Sequence, residues 1–131
     1  MDTAKKKILI VDDEADMLET MAFILSKAGY DIIKASRGKD AIALAQSEHP
    51  DLILLDIKMP EMDGVNTSDI LRSHQSTGAI PIAYLSSLVS EKQVKDGHVL
   101  GSKIGDLYFI PKTYSAEKIV ELVKLSMGER G

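Results

Sequence analysis

The sequence has no cysteine, no excess of positive charge and no long apolar run, and each absence excludes a class of protein. Without cysteine the chain has no disulfides and no thiolate metal ligands, which is compatible with a reducing compartment. The formal net charge of -4 at pH 7 disfavours direct binding to nucleic acid or to an anionic membrane. The basic start is followed by too short an apolar core for a signal peptide, and no stretch is long enough to span a bilayer. We therefore expect a soluble, cytoplasmic protein.

Short aliphatic runs alternate with segments of helical period along the 131 residues. This alternation predicts an α/β fold with a parallel sheet, because unbroken aliphatic strands are typical of a sheet that is covered on both faces. We expect one domain over residues 1–131, with an ordered core from about 5 to 127. The predicted strands span residues 8–11, 32–35, 52–55, 80–85 and 107–110.

Apolar stripes predict four helices. The stripe of the first consists of Met17, Met21, Ile24, Leu25 and Ala28. The following residue, Gly29, is placed to end that helix in a left-handed conformation. The other helices are predicted over about 38–48, 65–74 and 115–127, with Ser115 as the N-cap of the last. Glycines interrupt the segment 86–106, where we expect a further helix to be short or broken.

Acidic residues directly follow the first and third predicted strands. In an open parallel sheet, ligands bind outside the carboxyl ends of the strands, at the point where the strand order reverses. If these two strands are neighbours, Asp12, Asp13 and Asp56 converge at one rim, where their repulsion favours a bound cation. Oxygen ligands without nearby histidine or cysteine favour a hard ion such as Mg²⁺. Helix N-capping is the alternative for the first acidic group, and Asp56 at a second strand end favours the metal site.

A hydroxyl and an ammonium group follow the fourth and fifth predicted strands, at Ser86 and Lys112. Together with two carboxylates for a metal and a third as nucleophile, they form a set suited to phosphoryl transfer. That reaction needs in-line attack and positive or hydrogen-bonding groups around the transferred oxygens. An aspartate can be the acceptor and forms an acyl phosphate.

The motifs ILIVDDE, LILLDIKMPEMDG, PIAYLSS and YFIPK resemble, in order and spacing, the receiver domain of a two-component response regulator. The resemblance covers nearly the whole chain. It implies a flavodoxin-like doubly wound five-stranded parallel sheet, of order 2-1-3-4-5, with helices on both faces. It also implies a signalling switch, and not an enzyme acting on other molecules. Such a switch takes a phosphoryl group from a sensor histidine kinase or a histidine phosphotransfer protein.

The resemblance assigns the acceptor and the metal ligands. Asp56 is the implied phosphoacceptor. Asp13 and Asp56 would bind Mg²⁺ directly, the backbone carbonyl of Lys58 would be a further ligand, and Asp12 would act through water. The partner downstream is an unknown protein, and the chain is expected to be a monomer or a phosphorylation-dependent homodimer.

The resemblance also assigns the switch and exposes three departures from the family pattern. Lys112 would pair with the acceptor at rest and with phosphate after transfer, while Ser86 and Phe109 match the hydroxyl and aromatic switch positions. Receivers usually follow this lysine with proline and a cis peptide, whereas here Thr113 follows. Ser87 stands where a smaller residue is usual. The segment between Ser86 and Phe109 is also a few residues longer than is usual in the family. The three changes fall on the face that receivers use for output.

Three rival functions remain at this stage. A receiver-fold scaffold with altered output agrees with the departures on the output face. A Mg²⁺-dependent phosphatase that forms an aspartyl phosphate is disfavoured, because Lys58 stands where its general acid would be. A flavin carrier of the same fold is disfavoured, because its phosphate loop requires glycines and hydroxyls where this chain has DDEAD.

Overall fold

The computed structural model describes the backbone of residues 5–56, 64–86, 103–104, 107–111 and 115–127, and the side chains of 5–56, 66–85, 110 and 115–127. Strands and helices alternate over most of this length. The strands are β1 (Lys7–Val11), β2 (Asp31–Ala35), β3 (Leu52–Asp56), β4 (Ile82–Ser86), β5 (Lys103–Ile104) and β6 (Leu107–Pro111). The helices are α1 (Ala15–Lys27), α2 (Gly38–Glu48), α3 (Gly64–Ser73) and α4 (Ala116–Ser126).

The strands form one sheet of order β2-β1-β3-β4-β6-β5. Five of them pair in parallel, in the predicted order, with the predicted fifth strand appearing as β6. The flavodoxin-like fold class is thereby confirmed. The sheet also has a sixth strand that the sequence did not predict, the short β5, which pairs with β6 in antiparallel orientation at the edge. Two residues in a glycine-interrupted segment carry no periodicity from which a strand is recognised.

Each face of the sheet carries its own apolar core. On one face, residues of β1, β3, β4 and β6 pack with α1 and α4. On the other face, the alternate residues of the strands pack with α2 and α3. The interiors of β1 and β3 are fully buried, which explains why these two strands are unbroken aliphatic runs. Among the described helices, none is long and apolar enough to cross a membrane.

The four described helices lie close to their predicted positions, and the differences are local. Gly29 has φ 102°, as its predicted place after α1 requires. Ala28 was expected in the buried stripe of α1 but is exposed, because it is the C-cap residue and lies past the last helical turn. The stripe includes the buried Leu18 and Ala22 instead. The fourth strand begins at Ile82 and not at residue 80, since the preceding proline has no N–H for the ladder. The helix expected within 86–106 lies outside the described residues.

Candidate functional site

Strand register brings the ends of β1 and β3 together at the carboxyl rim of the sheet. Val11, the last residue of β1, pairs with Leu55 of β3. The residue that follows Val11 is Asp12, and the residue that follows Leu55 is Asp56. The two aspartates therefore lie at the same end of neighbouring strands. Because β1 also pairs with β2 on its other side, this rim is the point where the strand order reverses.

Asp12 is held in place from both sides. Its backbone N–H donates to the carbonyl of Ala35 at the end of β2, at 3.1 Å. Its Oδ1 accepts a hydrogen bond from the backbone N–H of Glu14 at 3.0 Å. Glu14 is the N-cap residue of α1 and makes no side-chain capping bond. The capping alternative therefore accounts for one oxygen of Asp12, but it gives no reason for Asp56 to lie beside it.

Three carboxylates gather at this rim. Asp12, Asp13 and Asp56 each offer an oxygen atom, and these oxygens lie within 4.8 Å of one another. Asp12 and Asp56 are buried, whereas Asp13 is exposed to solvent. Two ionised carboxylates at this separation repel by roughly 3 kcal/mol at an effective dielectric constant of 20. A cation offsets that repulsion, and an all-oxygen donor set fits a hard divalent ion such as Mg²⁺.

The other predicted site residues are placed only in part. Ser86 ends β4 and pairs with Pro111, one position beyond the Leu85–Asp56 pair, so its backbone lies at the same rim. The backbone of Phe109 lies in β6, further from the rim. The side chains of Ser86 and Phe109 lie outside the described residues. Neither the backbone nor the side chain is described for Lys58, Ser87, Lys112 and Thr113.

Sequence reasoning missed a buried polar contact behind the rim. Tyr84 of β4 donates a hydrogen bond from its hydroxyl to Ser68 Oγ of α3, at 2.7 Å. The neighbouring Thr67 is fully buried as well. One signal was present in the sequence, because Ser68 precedes Leu71 by three positions and therefore lies on the same face of α3. The partner on β4 was not deducible without the packing of helix on strand.

The fold and the aspartate cluster agree with a comparison against protein families. The family described as response regulator receiver domain matches residues 8–124. The chain belongs to this family. Receiver domains act in two-component signalling, interact with histidine kinases and phosphotransfer proteins, and generally bind Mg²⁺ through acidic residues. This receiver has a cluster of acidic residues at the rim, formed by Asp12, Asp13 and Asp56.

Curated relatives support the same assignment. The alkaline phosphatase synthesis transcriptional regulatory protein PhoP of Bacillus subtilis is 36% identical over 119 residues, which cover 91% of this chain and 47% of the relative. The probable transcriptional regulator ycf27 of Porphyridium aerugineum is 35% identical over 115 residues, covering 88% of this chain and 45% of the relative. The chain thus spans about half the length of the curated relatives it matches.

Solved structures share the fold over nearly the whole receiver. The chemotaxis protein CheY4 of Vibrio cholerae superposes with a TM-score of 0.79 at 26% identity, covering 94% of this chain and 99% of CheY4. A putative response regulator from Chloroflexus aurantiacus superposes with a TM-score of 0.79 at 25% identity, covering 96% of this chain and 100% of that protein.

Proposed function

We propose that this receiver is a phosphoryl-accepting switch in which Asp56 takes a phosphoryl group from a phosphohistidine of a sensor kinase or phosphotransfer protein. The observation that carries the proposal is the rim itself. Asp56 is buried at the end of β3, and one of its oxygens lies within 4.8 Å of oxygens of Asp12 and Asp13. A buried nucleophile grouped with two further carboxylates fits an aspartate that is phosphorylated beside a divalent ion.

Four residues of the chain would bind Mg²⁺, either directly or through water. Asp13 and Asp56 would bind it directly, the backbone carbonyl of Lys58 would be a further ligand, and Asp12 would act through water. The bound ion supplies positive charge that offsets the carboxylates and the charge on the transferred phosphoryl oxygens. The hydrogen bond from Glu14 N to Asp12 Oδ1 fixes the orientation of Asp12 in this arrangement.

In the transfer, a carboxylate oxygen of Asp56 attacks phosphorus in line with the phosphohistidine nitrogen. The new P–O bond forms as the P–N bond breaks, and the imidazole nitrogen of the donor keeps the electron pair and takes up a proton. The buried position of Asp56 limits the access of water to the acyl phosphate. Lys112 pairs with Asp56 before transfer and with a phosphate oxygen afterwards.

The acyl phosphate then biases a two-state equilibrium. Ser86 donates a hydrogen bond to the new phosphate, and Phe109 turns inward into the space that Ser86 leaves. Moving such an equilibrium from about 1:99 to about 99:1 takes roughly 5.5 kcal/mol of differential interaction. A doubly charged group that gains contacts to a hydroxyl, an ammonium and a divalent ion can supply this. The changed face binds an unknown downstream protein or a second copy of the chain.

Intact-mass measurement tests the proposal. Wild type, Asp56→Asn and Asp31→Asn are incubated with acetyl phosphate and Mg²⁺. Asp31→Asn is the matched control, because it makes the same charge change at the amino end of β2, at the opposite rim of the sheet. We expect wild type and Asp31→Asn to gain one phosphoryl group and Asp56→Asn to gain none.

Other outcomes separate the rivals. Continuous release of phosphate from unrelated phosphoesters would favour the phosphatase. A wild type that is never modified would favour the scaffold, and modification of Asp56→Asn at the wild-type rate would place the acceptor elsewhere.

A further inference from the structure

One polar contact lies inside the apolar layer between β4 and α3. Tyr84 donates from its hydroxyl to Ser68 Oγ at 2.7 Å, and the two residues are 4% and 1% exposed. The tyrosine belongs to the apolar cluster that also contains Leu55 and Leu71. Because water is excluded there, the hydrogen bond is stronger than its equivalent at the surface, and its loss costs more.

This contact joins the two elements that flank the site. Along β4, Tyr84 lies two positions before Ser86, the proposed switch hydroxyl. Across the sheet, Tyr84 pairs with Leu55, the residue before the acceptor Asp56, and with Phe109 of β6. On the other side of the bond, Ser68 lies in the second turn of α3, the helix that follows the acceptor strand along the chain.

The geometry leaves the contact little freedom. An O–H···O bond has its optimum near 2.7–2.8 Å and is lost beyond about 3.5 Å. A shift of about 1 Å between β4 and α3 along the bond therefore breaks it, at the cost of separating two buried polar groups. When the end of β4 moves, α3 either moves with it or loses this bond. In both cases a movement of β4 changes either the position of α3 or one of its hydrogen bonds.

We infer that Tyr84 and Ser68 are positioning residues that couple α3 to the switch strand β4. The inference rests on the proposed function, since it concerns how a change at Asp56 and Ser86 spreads from the rim. The coupling extends the surface that responds to phosphorylation to α3, beyond the strands and loops that carry the site.

Amide hydrogen exchange of α3 tests the coupling. Exchange of the slowest amides is measured by mass spectrometry and NMR with and without acetyl phosphate and Mg²⁺, and the intact mass of each sample reports modification of Asp56. In wild type we expect phosphorylation to change α3 exchange by about fivefold, the effect of one typical hydrogen bond on an opening equilibrium. In Tyr84→Phe and Ser68→Ala we expect this phosphorylation-dependent change to disappear while Asp56 is still modified.

Two further variants exclude a general loss of stability. Tyr30→Phe removes the hydroxyl of another buried tyrosine, in the core on the other face of the sheet, and should respond as wild type does. Ser68→Thr keeps a hydroxyl at the same position and should restore part of the response. If one of the two deletion variants fails to fold, the other reports the result.

The outcomes distinguish this inference from the proposed function. Equal α3 responses in wild type and both deletion variants would overturn the coupling, as would a phosphorylated wild type whose α3 exchange does not change. If Asp56 of the wild type is never modified, the proposed function fails first and the coupling fails with it.

Discussion

Asp12, Asp13 and Asp56 are the same residue type in three different surroundings. Asp12 is tied to the end of β2 and to the start of α1, Asp56 is buried as the last residue of β3, and Asp13 faces solvent. Their carboxylates nevertheless lie close enough to repel one another. In the absence of a cation, this rim is a local electrostatic cost to the fold, and neutralising one member should reduce that cost.

Asp13→Asn tests that cost. In EDTA, the substitution should raise the midpoint of thermal unfolding by about 2 to 5 °C, because it removes one of three repelling charges without disturbing a buried side chain. Differential scanning calorimetry measures the midpoint. Asp31→Asn carries the same change in net charge at the opposite rim and should shift the midpoint less. A lower midpoint for Asp13→Asn than for wild type would contradict the electrostatic account.

At the residue scale, the sequence predicted the aspartates but not the contact beneath them. Asp12, Asp13 and Asp56 were found because each follows a buried strand, and strand ends of a parallel sheet converge. The hydrogen bond between Tyr84 and Ser68 depends on which turn of α3 lies over which residue of β4. Sequence separation and periodicity do not contain that information.

Helix termini show how local sequence sets element boundaries. Ser115 was predicted to cap the last helix, and its side chain accepts a hydrogen bond from the backbone N–H of Lys118 at 3.2 Å. In contrast, Glu14 and Arg37 begin α1 and α2 without a side-chain capping bond. A side-chain hydrogen bond therefore stabilises the start of α4, whereas the N-cap side chains of α1 and α2 make no such bond.

Ser115→Ala should lower the free energy of unfolding by about 1 kcal/mol, because it leaves an amide of the first turn of α4 without its side-chain acceptor. Urea denaturation followed by circular dichroism measures the change. Ser47→Ala is the matched control, since Ser47 is an exposed residue within α2 and alanine is the better helix former there. Equal losses in the two variants would show that the cap contributes nothing specific.

Gly29 sets the exit of the chain from α1. Its φ of 102° is unfavourable for a residue with a side chain, although a Cβ built there meets nothing within 4 Å. Gly29→Ala should therefore cost about 1 kcal/mol or more from backbone strain alone, and Gly29→Asn should cost less. Chemical denaturation of both variants measures the difference. Two variants as stable as wild type would show that the turn relaxes to a negative φ.

Element positions were largely predictable because β1 and β3 are unbroken aliphatic runs, the other five-residue strands contain shorter apolar runs, and each helix has its own apolar stripe. The errors have local causes. Ala28 was assigned to the stripe although it lies past the last turn of α1, and the proline before Ile82 delays the start of β4. The antiparallel β5 was missed because a two-residue strand is defined by its partner, not by its own pattern.

The acidic side chains at the two rims of the sheet have different surroundings. At the amino rim, Asp51 Oδ2 accepts from the backbone N–H of Lys7 at 2.7 Å, and the side chain of Lys7 forms an ion pair with Glu48 at 3.2 Å. These two acidic side chains therefore bind a backbone amide and an ammonium group of the same chain. At the carboxyl rim, carboxylate oxygens of Asp12, Asp13 and Asp56 lie within 4.8 Å of one another.

At this scale the topology was predictable in outline. Alternating strands and helices predict a parallel sheet, and the motif order implied the strand order that the structure shows. The roles of Lys58, Ser86, Phe109 and Lys112 stay predictions, because they depend on side chains outside the described residues. The ordered core expected over about 5–127 likewise stays a prediction.

Calorimetric titration of the metal-free protein with Mg²⁺ tests the central claim most directly, namely that the rim aspartates form a divalent-cation site. Wild type should bind Mg²⁺ at a single site. Asp13→Asn should bind it about tenfold more weakly or worse, because even substitutions behind the ligands typically weaken metal binding about 10- to 100-fold. Asp31→Asn should match wild type. A wild type that binds no Mg²⁺, or an Asp13→Asn variant with unchanged affinity, would contradict the account.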